Sequence, residues 1–516
     1  MKKILDWILK NKIEFTILVL ILAVAAFLRL WRISEYMTFL GDEGRDAIVV
    51  KNLITRGDLI FIGPATSVGN MYLGPLYYYM MAPFLAISRL DPVGPAVMVA
   101  LIGIATVFWV YLCGRQFFSK EAGLFAASLY AIAPVVIVYS RFSWNPNPMP
   151  FFALLTVLFL FWTLKTKNYF WLIPLSVSVA FVLQMHYLGV ILVFVVLIFW
   201  FLVLFENFRR KKPIKKFIFF SLLSFLLFSF LMSPLLIFDL NPNHQFLNFN
   251  AFTKFFFGRS SQGIAPASSF DFGNFFPKIY QNYLQLFSRF LTAKQEFAGS
   301  FITILATLSL AYFSFLSFFR KKTNIGFTLL FVWLAVGVLG LSLYKGEIFD
   351  HYFGFLNPVP FLVIGIFLWH LWRSNLYLRL ISILIFSLLV FLNFQYSPIR
   401  NEPNNQLQRT KLIARQIIKS SGDKPFNFAL IAKNNYDDAY RYLLDIWNHN
   451  PVVIDNQHLD ATITDQLFVV CEDQICQPLG YPKWEVASFS KEKGFAQKES
   501  ELQFDGIKLF KLVHSK

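Results

Sequence analysis

Apolar residues in this chain come in blocks of about twenty, separated by short polar loops, from residue 13 to residue 394. At a rise of about 1.5 Å per residue, some 20 apolar residues cross the roughly 30 Å hydrocarbon core of a bilayer. The blocks near 13–31, 93–113, 122–140, 150–164, 169–187, 188–206, 217–238, 299–319, 325–344, 356–373 and 376–394 therefore predict eleven transmembrane helices. A further apolar stretch, Gly74 to Ile87, is short and contains Pro75 and Pro83. Counting it as a span would invert every later loop, so it reads as a re-entrant or surface-lying helix. Ala23-Val24-Ala25 resembles a signal-peptidase site but lies inside the first block, which predicts an uncleaved helix.

Beyond residue 397 the pattern changes. An amphipathic helix is expected near 406–419 and another over Tyr436–Asn448, with strands at Phe426–Ala432, Leu467–Cys471, Glu485–Ser488 and Ile507–Val513. The chain thus divides into a membrane domain, residues 1–397, and a small α/β domain, residues 398–516. The α/β domain shows no Gly-rich phosphate loop, nucleophile elbow or zinc motif, and reads as a docking or packing domain.

Charge orients the spans. The net charge is +17, yet residues 398–516 carry 15 basic and 15 acidic side chains. The excess lies in residues 1–397, with 32 basic against 15 acidic, and it follows the loops. With the N-terminus inside, 19 Lys and Arg fall in cytoplasmic segments, among them Arg209–Lys212 and Arg320–Lys322, while the short outer loops offer Arg141 and Lys345. That is the positive-inside asymmetry, and it removes any need for nucleic acid as a partner. The chain is expected to be an α-helical polytopic membrane protein whose C-terminal α/β domain is extracytoplasmic, in a bacterial plasma membrane. Cys113 sits in an apolar block, and Cys471 and Cys476 are expected to pair if the tail meets an oxidising compartment.

Two outer loops are long, 32–92 and 239–298, and 11 of the membrane domain's 15 acidic residues face outward, Asp271 among them. The densest group is Gly41-Asp42-Glu43-Gly44-Arg45-Asp46-Ala47, where three carboxylates and a guanidinium lie beside lipid. A solvated loop would explain it alone. Tyr139-Ser140-Arg141 through Asn145, Gln184-Met185-His186-Tyr187 and Lys345 through Asp350-His351-Tyr352 fall on the same side. Together they supply a base, cations and hydrogen-bond donors, an inventory suited to group transfer from a lipid phosphate. Asp42, Glu43 and Asp46 are also oxygen ligands able to hold Mg²⁺ or Mn²⁺, although a protonatable base needs no metal.

These residues resemble the GT-C superfamily of polytopic glycosyltransferases, in its protein O-mannosyltransferase-like and aminoarabinose-transferase-like branch. The resemblance runs over residues 13–394 and rests mainly on Gly41 to Ala47. Tyr72-Leu73-Gly74-Pro75-Leu76-Tyr77, Gly114-Arg115, Tyr139-Ser140-Arg141, Gln184-Met185-His186-Tyr187 and His351-Tyr352 through Pro358 support it. It implies transfer of a sugar from a polyprenyl-phosphate donor to a protein, lipid or envelope-glycan acceptor. Asp42 would be the base and Glu43 its neighbour, either assisting it or positioning a cation, with Arg141 and His351 on the donor phosphate. Arg45, Asp46, Tyr72, Asn145, His186, Lys345 and Asp350 complete the expected substrate contacts. The chain departs from the branch's pattern at Leu73-Gly74, where many relatives have lysine, and at Asn145, where some have aspartate. A transporter or flippase of a lipid-linked sugar is the competing reading, but the spans carry almost no midplane charge and no internal repeat.

Overall fold

The computed structural model describes residues 2–67, 69–257, 274–319, 324–473, 476–492 and 494–515. Arg320, Lys321, Lys322 and Asp271 lie outside them. Helices occupy the positions of all the predicted blocks, and among the described residues eight are long and apolar enough to cross a membrane. Tyr169–Met185 and Val359–Trp372 are apolar but shorter. This is a multi-pass membrane protein. Its outward surfaces are apolar, as on Lys215–Leu240, where Phe219, Leu222, Phe225, Leu226 and Phe230 are all exposed. In water such a stripe would be a liability; against lipid it is the expected exterior.

The block at 122–140 is not one helix. Lys120–Ile132 stops at Ala133, whose ψ of 120° is extended, and Pro134–Tyr139 starts anew. Pro134 cannot donate a backbone hydrogen bond and its ring pushes the preceding residue out of the helical region. The break redirects the chain so that Val135, Val138 and Tyr139 line a cleft. The Gly74–Ile87 stretch forms a helix of 12 residues, Leu76–Ile87, too short to span alone.

The carboxylate motif is helical, Gly41–Arg56. Glu43 turns back so that its Oε2 accepts from Leu40 N at 2.9 Å, and acidic groups in the first turn complement the helix dipole. Gly57, at φ +76°, closes the other end in the left-handed region.

The tail holds a four-stranded sheet: Asn427–Ile431, at one edge, pairs parallel with Gln466–Cys471, which pairs antiparallel with Ile507–His514, and Ala496–Phe504 forms the other edge. Two expectations need correction. Glu485–Ser488 is part of a helix, Trp484–Glu492, because Val486 and Phe489 three residues apart bury one helical face against the sheet. Ala496–Phe504 is a strand that the charged run Lys498-Glu499-Ser500-Glu501 hid; the Asp505-Gly506 turn, with both φ positive, was its hairpin signal. Cys471 and Cys476 form a disulfide.

The tail does not hang free of the membrane domain. Helix Asp438–Ile446 packs on Gly41–Arg56 so tightly that a Cβ on Gly44 would lie 2.3 Å from Ala439 N. A Cβ on Gly41 would meet Tyr436 Cβ at 2.5 Å. Lys51 pairs with Asp445, Lys411 Nζ with Asp91 Oδ2 at 2.6 Å, and Tyr442 OH donates to Leu90 O at 2.6 Å.

Candidate active site

The tail and the loop that follows the first span meet over a cleft of about 580 Å³. One wall carries Asp42 and Glu43, the tail contributes Asn435 and Tyr436, Tyr139, Phe142 and Trp144 form an aromatic side, and Lys294 and Asp350 lie among its remaining lining. Asp42 is 37% exposed and accepts from Arg45 Nη1 at 2.8 Å through Oδ1. Arg45 then reaches Asp46 with Nη2 at 2.8 Å and Nε at 3.0 Å. Asp46 is fully buried behind the wall, where Tyr78 OH also donates to it at 2.9 Å. Gly41 N donates to Asn435 Oδ1 at 2.9 Å, and Asn435 Nδ2 donates to Glu472 Oε2 at 2.8 Å. The first turn of the carboxylate helix is therefore anchored from the tail.

Burial separates the carboxyls. It pushes Glu43 from 4.5 up to about 8, although the Leu40 N–H bond pulls the other way. It pushes Asp46 up to about 6 against the opposing pull of Arg45. Glu43 is mostly protonated at neutral pH, which makes it a poor base and a ready hydrogen-bond donor. Asp42, at the cleft surface, is the better placed proton acceptor.

A second cleft, of about 620 Å³, shares Tyr139, Lys294 and Asp350 with the first and adds Arg289 and Glu347. Asp350 Oδ1 accepts from Arg289 Nη1 at 3.0 Å, and its Oδ2 accepts from Lys294 Nζ at 2.7 Å. Sequence reasoning missed both cations. Arg289 ends the helix Phe275–Leu291, whose one-sided apolar face was the available clue, and Lys294 follows in the next turn.

The remaining expected residues are dispersed. Arg141 is buried, donating from Nη2 to Trp31 O at 2.7 Å with its guanidinium 4.4 Å from the Tyr36 ring centre, and it does not line either cleft. Asn145 donates to Met185 O at 2.7 Å. Tyr72 N donates to Asn248 Oδ1 at 2.7 Å and its ring meets Phe238. Lys345 O accepts from Lys278 Nζ at 3.2 Å. His186 and His351 pack ring to ring, 5.6 Å apart, behind Trp144, which lies 4.5 Å from His351. Burial lowers His351 from 6.5 to about 4, with Asp350 opposing, so it faces its neighbours as a neutral imidazole. Among the described residues no three His, Cys, Asp or Glu side chains converge as metal ligands. Asp42 and Asp46 share Arg45 while Glu43 folds back on Leu40, so the motif's own carboxylates are turned to different partners.

Residues 73–238 match the family model described as dolichyl-phosphate-mannose-protein mannosyltransferase. No curated protein matches the chain in sequence. In fold it is similar to ArnT from Cupriavidus metallidurans, solved bound to undecaprenyl phosphate, with a TM-score of 0.61, 12% identity, 96% of this chain covered and 97% of that one. It is also similar to the oligosaccharyltransferase AglB from Archaeoglobus fulgidus, solved with an inhibitory peptide and a dolichol-phosphate, with a TM-score of 0.54, 15% identity, and 90% and 70% covered.

Proposed function

We propose that this chain is a membrane glycosyltransferase of the GT-C superfamily, of the protein-mannosyltransferase-like and ArnT-like kind, using a polyprenyl-phosphate-linked sugar; the family model over residues 73–238 and the likeness in fold to ArnT and AglB support this. The observation that carries this reading is the cleft itself, which has Asp42 and Glu43 on one wall and Lys294, paired with Asp350, elsewhere in its lining. Asp42 takes the proton of the acceptor's hydroxyl or amine as that atom attacks the sugar's anomeric carbon. The bond from that carbon to the phosphate oxygen breaks, and its electron pair stays on the phosphate. Arg289 and Lys294 offset the charge that the leaving phosphate gains. Glu43, protonated, donates a hydrogen bond within the same pocket. Tyr139, Phe142 and Trp144 offer apolar faces against which a sugar ring can lie.

The cleft belongs to the outer face in this reading, supported by the basic inner loops and by the Cys471–Cys476 disulfide, a bond typical of extracytoplasmic compartments. The test is transfer of radiolabelled sugar in membranes carrying wild-type or Asp42→Asn protein, supplied with polyprenyl-phosphate sugars. Label moved by the wild type and lost in the variant supports the reading and identifies the acceptor from the product. Equal transfer by both would overturn Asp42 as the base.

A further inference from the structure

Tyr139, Lys294 and Asp350 form the partition between the two clefts. The two cations that Asp350 pairs with, Lys294 on that partition and Arg289 in the second cleft, are tethered unequally. Arg289 also donates to Ile348 O at 2.9 Å and Gln285 Oε1 at 3.0 Å, and its guanidinium lies 5.6 Å from the Phe353 ring centre. Lys294 has a side chain 57% exposed, on a turn where Ala293 and Lys294 both have positive φ, 52° and 69°. The Asp350 side chain, only 11% exposed, holds both cations with one oxygen each. It satisfies them much as two oxygens of a phosphate would.

We infer that Asp350 is a displaceable stand-in for the donor's phosphate, occupying Arg289 and Lys294 when the site is empty and reclaiming them to release the spent lipid phosphate. This rests on the glycosyltransferase reading of the cleft. Charge accounts for the sequence of events. Taken as a trio, Arg289, Lys294 and Asp350 leave a net charge of about +1, which a sugar phosphodiester, with one negative charge, balances, while Glu296 and Glu347 in the lining of the second cleft oppose an anion that moves away from the two cations. When the bond to the sugar breaks, the phosphate becomes a monoester of up to about two negative charges. It then competes with Asp350 for both cations, and the returning carboxylate opposes its retention. Without Asp350 the product would stay.

The experiment measures binding of undecaprenyl phosphate to the full chain in nanodiscs, with undecaprenol and inorganic phosphate as separate arms. Asp350→Asn is expected to bind undecaprenyl phosphate about tenfold more tightly, while Arg289→Gln and Lys294→Gln each bind it several-fold more weakly. Undecaprenol, lacking the anion, should bind all four proteins alike. Tightening seen equally with inorganic phosphate would support the anion exchange but assign the recognition to the phosphoryl group alone. Unchanged or weaker binding by Asp350→Asn, with Arg289→Gln still weakened, would overturn the stand-in and leave the cleft reading intact. Unchanged binding by both cation variants would instead remove the phosphate from this cleft. Thermal unfolding with and without undecaprenyl phosphate guards against a misfolded variant: a folded Asp350→Asn protein gains more from the lipid than wild type does.

Discussion

The carboxylate wall of the cleft is clamped to the tail through its backbone, whereas Lys294, Asp350 and Arg289 meet one another through side chains. On the first, Gly41 and Gly44 bring the helix against the tail, and Asn435 bonds to Gly41 N. Little there can move without parting two elements. On the second, an exposed lysine on a left-handed turn shares one carboxylate with Arg289. The difference suits two tasks. A proton acceptor gains from a fixed position, because general-base catalysis depends on a distance of about 3 Å. An anion site that must load and empty gains from partners that can exchange.

The comparison can be broken from the fixed side first. Asp42→Asn is expected to reduce transfer by about 10²–10⁴-fold with insertion unchanged, read by labelled-sugar transfer beside a membrane-fractionation control. Gly44→Leu should force the tail helix off its seat at a cost of about 1–3 kcal/mol, because its Cβ alone would stand 2.3 Å from Ala439 N. Limited proteolysis of the 398–405 connection would rise if the tail lifts; an unchanged digestion rate would show that the clamp is dispensable.

A pH series sharpens the same wall. The folded state holds Glu43 at about 8, above its ordinary 4.5, so folding takes up a proton at intermediate pH. That stabilisation is complete below about 4.5 and is lost as pH rises through 8. Asp46, raised from 3.8 to about 6, acts with the same sign over a lower window. Thermal unfolding midpoints of wild type should therefore fall between pH 6 and 8, and Glu43→Gln should flatten that limb; a slope that persists in the variant would place the titration elsewhere. The smallest effect is expected on the tail's outer side. Arg409→Gln breaks a pair with Asp505, a residue 81% exposed, and should shift stability by less than about 0.5 kcal/mol.

The membrane blocks were readable because burial in lipid needs only composition and length, and those are local properties of a sequence. The Pro134 break was also local, yet the surrounding apolar run masked it. Asp42 and Glu43 stood out because charge near lipid is costly and rare. Arg289 and Lys294 did not, since single basic residues near the end of a long loop resemble ordinary surface charge until Asp350, 61 residues from Arg289, is folded against them. Arg141 stood out by its place after a span; it lies off both clefts, with Nη2 donating to Trp31 O and its guanidinium against the Tyr36 ring, while its buried Nε and Nη1 have no hydrogen-bond partner among the described residues. The tail's share in the cleft was the least readable of all, because Asn434-Asn435-Tyr436 is an unremarkable polar turn whose meaning comes only from what it touches.

That contact has a consequence for synthesis. The hydrogen bond from Gly41 to Asn435 joins residues 394 positions apart. The chain writes its carboxylates near the start and the wall that seats them near the end. A ribosome stalled anywhere before Asn435 leaves a membrane protein with Asp42 in place and its cleft unfinished, so the pocket gains its last wall only once synthesis has passed Tyr436.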